Sequence, residues 1–561
     1  MNTPRTVSEA LRDAADTPRG IRFIEHDGRT QLVPYRELLA CACAIGGALR
    51  ALGYEDGDRV AIVIPEISGF VTGFFGIVAA GLVPVPLCPP AQAGDVATFA
   101  RHSAHIIGAS HAVAVLTTDD VRPLLEPAVR QPDHADAPSV ARVSPNFHTL
   151  ESLQGGPTLA APRPRSLDDI ALLQFTSGST ALPKGVVLTF GNLASNVESI
   201  IGPAGLGVGP GDVSVSWLPL YHDMGLIGML LSSVYSAIDA VQMSSVLFLK
   251  RPSAWLDALS RYGGSISFAP NFAYELCRRR VKSSQLEQLD LSRWRVAGCG
   301  AEPIRPDTLQ QFADYFAPAG FRKESLLPSY GLAEHSLAVT FAHGGVSVDT
   351  VDAERLVRES VAVPVVNGSS SVRIVRCGTP FPGHSVRVVD EDFVELPERH
   401  VGAIVARGPS VMQGYFEQPE ITEATLRDGW LVTGDLGYMA NGSLYVCGRT
   451  KDVIIRQGRK YHPADLEAAL SDVQGVAVSG VVVFALTHVD DADEVVAVVE
   501  TRAGARTTDL EEAVRRRIRE TAGLDVDRVV LASPGTIPRT TSGKVRRSET
   551  RNRFEAGTLV R

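Results

Sequence analysis

The stretch Leu173-Gln174-Phe175-Thr176-Ser177-Gly178-Ser179-Thr180-Ala181-Leu182-Pro183-Lys184-Gly185 decides how the rest of the sequence is read. The apolar run before it, Ile170 to Phe175, predicts a buried strand. Small, hydroxylated residues follow, then a proline and a lysine. That chemistry suits a polyphosphate. Gly178 lets backbone N–H groups approach, Thr176, Ser177, Ser179 and Thr180 add hydroxyl donors, and Lys184 neutralises charge. The spacing departs from the common P-loop, since Lys184 follows Pro183 and no serine or threonine comes next. On composition alone such a cluster also reads as an ordinary loop.

Before this stretch, residues 1 to about 165 alternate helix-like and strand-like patterns. Arg36 to Leu52 is helical and ends near Gly53, Arg59 to Ile64 is a strand, Ser68 to Ala80 is a helix ended by Gly81, and Val83 to Leu87 and Ala112 to Leu116 are strands. Apolar strands alternating with helices predict a layered α/β fold. Ile67 to Gly94 carries no charge, but Pro84, Pro86, Pro89 and Pro90 break its second half. It reads as a buried helix and strand, not a membrane span.

After the stretch, a helix-like segment, Asn192 to Ile200, is followed by a series of strands running into turns that carry chemistry. Val213 to Leu220 leads into Tyr221-His222-Asp223-Met224-Gly225, a turn that presents a histidine and an aspartate. Taken alone, a His-Asp turn is an ordinary hydrogen-bonded turn. Its functional reading is a gate between a nucleotide and an organic substrate. Phe268-Ala269-Pro270-Asn271-Phe272-Ala273-Tyr274 starts an amphipathic helix. Trp294 to Gly298 runs into Cys299-Gly300-Ala301-Glu302-Pro303, an open backbone against which a flat ring could lie. Ser329-Tyr330-Gly331-Leu332-Ala333-Glu334 offers an aromatic stacking face, a close-approach glycine and a carboxylate able to hold a hard cation. Asp435, on the Thr433-Gly434-Asp435 turn, has the bidentate acceptor chemistry that two ribose hydroxyls need, and Arg449 supplies a fixed donor fork. Ile537 to Lys544 places a lysine on a flexible Ser-Gly loop.

The chain has 561 residues, 45% hydrophobic and 21% charged, with formal net charge −9. That is globular, long enough for a few domains, and unlike a general nucleic-acid binder. Seven scattered cysteines with no CxxC pair predict a reduced, cytoplasmic setting instead of a disulfide framework or zinc site. The opening residues Met1-Asn2-Thr3-Pro4-Arg5 lead into a mixed-charge helical pattern with no secretory signal.

In this order, the segments resemble the AMP-forming adenylate ligases: acyl-CoA synthetases, luciferases, peptide-synthetase adenylation domains and fatty acyl-AMP ligases. Tyr221 to Leu226, Pro270 to Leu276, Gly458 to Glu467 and a mixed-charge insertion at about 342–375 resemble the fatty acyl-AMP ligases in particular. The resemblance implies an α/β fold with a large N-terminal domain, 1–450, of two layered subdomains and a distorted β-barrel. A small, mobile α+β domain, 451–561, follows, with Lys451 at the hinge. It implies a phosphate loop of Thr176, Ser177, Gly178, Ser179, Thr180 and Lys184. The nucleotide would lie against Gly300, Ala301, Glu302, Tyr330, Gly331, Leu332 and Ala333, with Asp435 and Arg449 at the ribose. Catalytic roles would fall to His222, Glu334 and Lys544. Met224, Gly225, Asn271 and Tyr274 would line the substrate pocket, and Glu334 and Thr180 would hold magnesium. Ala181 and Phe190 depart from the usual glycine and histidine.

The implied activity is ATP- and Mg2+-dependent conversion of a fatty acid to acyl-AMP, then transfer to the phosphopantetheine thiol of an acyl carrier protein. An acyl-CoA synthetase is the alternative, and a non-catalytic nucleotide-binding regulator a further one. Arg546, Arg547, Arg551 and Arg553 form a basic cluster that could steer an acidic carrier to the tail.

Overall fold

The computed structural model describes residues 4–90, 96–130, 144–176, 183–365, 370–456, 459–470, 473–486, 494–502, 507–539 and 545–559. Ser177, Gly178, Ser179, Thr180 and Lys544 lie outside the described residues.

The strands Gly20–Ile24, Asp239–Met243, Val213–Ser216, Ile266–Ala269, Val296–Cys299 and Leu326–Gly331 lie side by side in that order, all parallel. Ile266–Ala269 and Val296–Cys299 are buried at every position, as expected of parallel strands covered on both faces. At Gly331 the chain turns back. Ser329 pairs with Phe341 of the antiparallel strand Ala338–Phe341, and antiparallel pairing then continues through Ser371–Pro380, Ser443–Arg449, Trp430–Ala440, Gly402–Arg407 and Ser385–Val389. The strands where the resemblance implies a distorted β-barrel therefore extend the same sheet.

A second parallel sheet joins Val83–Pro86, Arg59–Ile62, Ala114–Thr117 and Asn146–Thr149. The uncharged stretch folds into it, its helix spanning only Ile67–Ala79. Among the described residues, no helix is long and apolar enough to cross a membrane.

The opening motif is a hairpin. Ile170–Thr176 pairs antiparallel with Lys184–Thr189, and Thr176 stands directly opposite Lys184. The sequence reading passed over this second strand and went straight to a helix. Val186, Val187 and Leu188 favour extended backbone, and the helix Phe190–Ile201 begins only after them. Thr189 caps it. Its Oγ1 accepts from the Asn192 N–H at 3.1 Å, while Asn192 Oδ1 accepts from the Thr189 N–H at 3.0 Å.

Past Lys451, the strands Val476–Leu486, Glu494–Thr501 and Arg528–Ala532 form a sheet. Leu466, Leu470, Val514 and Ile518 of two helices pack in a core with it. The insertion is folded: strand Val348–Asp352, helix Ala353–Glu359, then the start of Ser371–Pro380. Val351, Leu356, Ala362 and Ile374 share a core with Tyr438 and Tyr445. Val357 packs instead against the core of the C-terminal segment, and Ser370 Oγ donates to the Thr521 carbonyl at 3.1 Å. Thus the insertion touches both large parts of the chain.

Candidate active site

Ligands of open parallel sheets bind beyond the carboxyl ends of the strands. Here Asn271 follows Ile266–Ala269, Gly300 follows Val296–Cys299, and Tyr330 ends Leu326–Gly331. A cleft of about 1850 Å³ opens at these ends. Thr176, Lys184, His222, Met224, Asn271, Ala301, Glu302, Tyr330, Gly331, Leu332, Ala333, Glu334, Asp435, Arg449 and Lys451 all line it, although they are scattered over 276 positions (451 minus 175, the span from Thr176 to Lys451 inclusive). Pro538, Arg539 and Val545, on either side of residues 540–544, line the same cleft.

Strand register explains the acidic corner. Asp435 and Arg449 are cross-strand partners, and Arg449 Nε lies 3.4 Å from Asp435 Oδ1. The Tyr330 hydroxyl donates to Asp435 Oδ2 at 2.7 Å. Burial holds the Asp435 carboxyl above its usual range, with Arg449 opposing the shift. Burial, together with Asp435, also raises the Tyr330 phenol. The result is a carboxylate held on both oxygens at the wall of the cleft. Lys451, beside it, is pushed below the usual lysine range, first by burial and then by Arg449.

Glu334 sits in a second polar group that joins two sheets. The Tyr415 hydroxyl donates to Glu334 Oε1 at 2.8 Å, and Lys184 Nζ lies 5.1 Å from the centre of the Tyr415 ring. Tyr415 is placed by pairing of Gly414–Tyr415 with Val186–Val187. Burial raises the Glu334 carboxyl. No cluster of three or more His, Cys, Asp or Glu side chains able to hold a metal occurs among the described residues. A single half-buried carboxylate lining the cleft does fit Mg2+, which binds through one or two carboxylates plus substrate phosphates. Tyr415 escaped the sequence reading because its glycine-aromatic signal, Gln413-Gly414-Tyr415, is common in turns.

At the His-Asp turn, His222 Nδ1 lies 2.5 Å from Asp223 Oδ1, and Asp223 Oδ1 accepts from the Met224 N–H at 2.7 Å. Gln174, from the strand Ile170–Thr176, donates to the Tyr221 carbonyl at 2.8 Å. The following turns, Met224–Leu231, form a π-helix, a form common at functional sites.

Two substrate-pocket expectations need correction. Tyr274 does not line the cleft. It is fully buried among Trp255, Trp294 and Phe312, and its hydroxyl donates to the Gly298 carbonyl at 2.8 Å. The cleft stripe of its helix is Asn271, Glu275, Arg278 and Arg279, and the tyrosine lies off that stripe, toward the core. Gly225 is also away from the cleft. A Cβ there would stand 2.2 Å from the Pro219 carbonyl oxygen, so glycine is needed for packing. Glu302 lines the cleft, but one carboxyl oxygen accepts from the Phe272 N–H at 2.7 Å and so tethers the helix Asn271–Arg280. At Gly300 a Cβ would lie 2.6 Å from Ser329 Oγ, which keeps that turn close to the Tyr330 strand.

Of the basic tail, only Arg547 is largely withdrawn from the surface, while Arg546, Arg551 and Arg553 stay 41%, 40% and 50% exposed. Arg547 is buried in ion pairs with Asp452 and Glu467, Arg546 and Arg553 pair with Glu549, and Arg551 with Glu555. Charge alone could not reveal these partners, because Asp452 and Glu467 are remote in sequence.

Next to Glu334, His335 is wholly buried. Its Nδ1 lies 3.0 Å from the Ala338 carbonyl, and its Nε2 has no hydrogen-bond partner among the described residues. Burial, then the neighbouring His384, lowers its pKa to about 3. A depressed folded value means that stability is present above the ordinary histidine pKa of about 6.5 and is lost as pH falls toward 3. His335→Asn is expected to flatten this acid-side slope, which otherwise approaches about 1.4 kcal/mol per pH unit from this group. Urea unfolding between pH 7 and 4 measures it.

With this geometry in view, comparison with known proteins is direct. The model of the AMP-binding enzyme family matches residues 11–416, and that of the Disco-interacting protein 2-like AMP domain matches 451–561. The chain belongs to the AMP-binding enzyme family. Within it, the chain is similar over its length to fatty acyl-AMP ligases. It is 33% identical to a long-chain-fatty-acid–AMP ligase of Mycobacterium marinum, covering 99% of this chain and 98% of that one. It is 34% identical to a medium-chain-fatty-acid–[acyl-carrier-protein] ligase of Moorena producens, over 94% and 90%. A Caulobacter vibrioides protein carrying an acyl-CoA synthetase name is 36% identical, over 99% and 96%. A solved structure from a study of fatty acyl-adenylate ligases of E. coli and L. pneumophila superposes with a TM-score of 0.90 at 34% identity, over 99% and 98%.

Proposed function

We propose that this protein activates a fatty acid with ATP to give acyl-AMP and pyrophosphate, then passes the acyl group to the phosphopantetheine thiol of a carrier protein. The observation that carries this reading is the convergence of Thr176, Lys184, Tyr330, Glu334, Asp435 and Arg449 on one cleft, which also has an apolar lobe. Two anions must meet there, so charge neutralisation comes first. Lys184 and Thr176, at the base of their hairpin, face the β- and γ-phosphates. Tyr330 lies under the adenine. Asp435, prealigned by Tyr330 and Arg449, accepts from the ribose hydroxyls. His222 stands between nucleotide and acid. Lys544 meets the carboxylate and the α-phosphate. A carboxylate oxygen attacks the α-phosphorus as the bond to the bridging oxygen breaks, and pyrophosphate leaves with that electron pair. Such chemistry depends on positioning and electrostatics. Glu334, with Thr180, would hold Mg2+, which when bound would offset charge on the phosphates.

Residues 451–561 are read as a unit that turns about Lys451. Contacts of the insertion with both large parts of the chain, through Val357 and Ser370, support a restraint on that turn and hence a preference for a carrier thiol over free CoA. Val357→Asp is expected to loosen the contact and raise acyl-CoA formation several-fold, read by product chromatography.

The direct test of the first step is fatty-acid-dependent release of pyrophosphate from ATP. Glu334→Gln is expected to weaken it and raise the Mg2+ concentration required. ATP binding with no fatty-acid-dependent pyrophosphate would contradict the reading.

A further inference from the structure

One lobe of the cleft is apolar and has a distinct back wall. Ile200, Met224, Phe268, Leu337, Ala338 and Phe341 line it and belong to one packed cluster. Phe268 and Phe341 come from strands that are not neighbours in the sheet, yet their ring centres lie 5.8 Å apart. Gly298 makes this approach possible. It is the register partner of Phe268, and a Cβ on it would stand 2.1 Å from the Phe268 ring. The ring therefore lies across the strand Val296–Cys299 toward Phe341. Behind the pair, Phe381 meets Phe341 edge-on at 5.1 Å and does not line the cleft.

We propose that the Phe268–Phe341 pair closes the apolar lobe and sets the longest acyl chain that the site accepts. The inference rests on the fatty-acid reading above and adds to it the residues that limit chain length. An alkyl chain entering from the nucleotide side gains favourable burial with each methylene until its end meets these rings. Beyond that point each further carbon must displace a ring backed by close packing, and well-packed interiors resist added methylenes.

The test is a chain-length profile. The wild-type protein, F341A and F268A are each given ATP and saturated fatty acids from hexanoate to octadecanoate, and kcat/KM for pyrophosphate release is measured. Both truncations are expected to move the optimum about two to four carbons longer, the room left by a deleted ring. The ratio of long- to short-chain kcat/KM is expected to rise on the order of tenfold. F341L, a smaller change less prone to misfolding, is expected to shift the optimum in the same direction by less. G298A, which drives the Phe268 ring off its strand, is expected to shift it toward shorter acids. The ratio between chain lengths within one preparation is insensitive to loss of folded protein. An unchanged profile in F341A, F268A and F341L overturns the wall alone. No fatty-acid-dependent pyrophosphate from the wild-type protein at any length overturns the fatty-acid reading and the wall with it.

Discussion

Lys544→Ala is expected to slow acyl-AMP formation on the order of 10²- to 10³-fold, the usual cost of losing one donor that acts on developing charge. ATP binding should survive, because the proposed phosphate, adenine and ribose contacts come from other residues. Residues 540–544 lie outside the described part of the chain, but their surroundings are informative. Arg539 and Val545 pair as an antiparallel bridge, and both line the cleft. Single-turnover formation of acyl-AMP, measured beside nucleotide binding, separates the two effects. A K544A protein with near wild-type adenylation would remove the lysine from the mechanism.

The second large effect is on stability. Arg547→Met is expected to destabilise the C-terminal segment by up to about 3 kcal/mol, the low end of the range for breaking a buried ion pair from one side, because the arginine keeps 19% of its side-chain surface exposed. Arg547 contributes two guanidinium contacts to Glu467, at 2.8 and 3.0 Å, donates to the Val483 carbonyl at 3.1 Å, and pairs with Asp452. Removing it leaves two carboxylates without their shared cation. It also frees the segment just after Lys544 from the region next to Lys451. Hydrogen exchange should show lost protection concentrated in the strands Val476–Leu486 and Glu494–Thr501. Replacement of Asp452, Glu467 and Arg547 together by apolar residues of similar size should recover much of the loss, since the cation and both carboxylates then go together. Uniform, unchanged protection in R547M would contradict this account.

The contrast between Arg547 and Asp435 shows what a sequence discloses. Asp435 was legible because its turn, its charge and its distance from Arg449 carry a local pattern. Arg547 read as part of an exposed basic cluster, because the acids that bury it lie 80 and 95 positions away. Strand–turn periodicity located those parallel strands that run into the chemistry-bearing turns, which is why most of the cleft lining was foreseen, but Gly20–Ile24, Asp239–Met243 and Asn146–Thr149 were passed over. The strand Lys184–Thr189 was missed because a short apolar run beside a helix has no alternation to mark it. Tyr274 was placed in the pocket by the resemblance and not by its helical pattern, since spacing says which residues share a face but not whether that face meets a cleft or a core. Tyr415 could not be found from local pattern, since only pairing between Gly414–Tyr415 and Val186–Val187 brings it to Glu334.

The insertion illustrates a third case. Its mixed charges and glycines suggested a departure from the layered fold, and the chain there forms the strand Val348–Asp352 and the helix Ala353–Glu359. Its contacts were not readable, because alternate faces of one short helix serve different cores: Leu356 packs with Tyr438 and Tyr445, and Val357 with the C-terminal segment.

The account turns on where the acyl group goes once ATP has been spent. The most direct measurement is mass spectrometry of the products formed from fatty acid, Mg2+ and ATP, with free CoA or with a phosphopantetheinylated acyl carrier protein. The predicted result is acyl-AMP and pyrophosphate in both, acyl thioester on the carrier, and little acyl-CoA. Abundant acyl-CoA with no carrier acylation would contradict it.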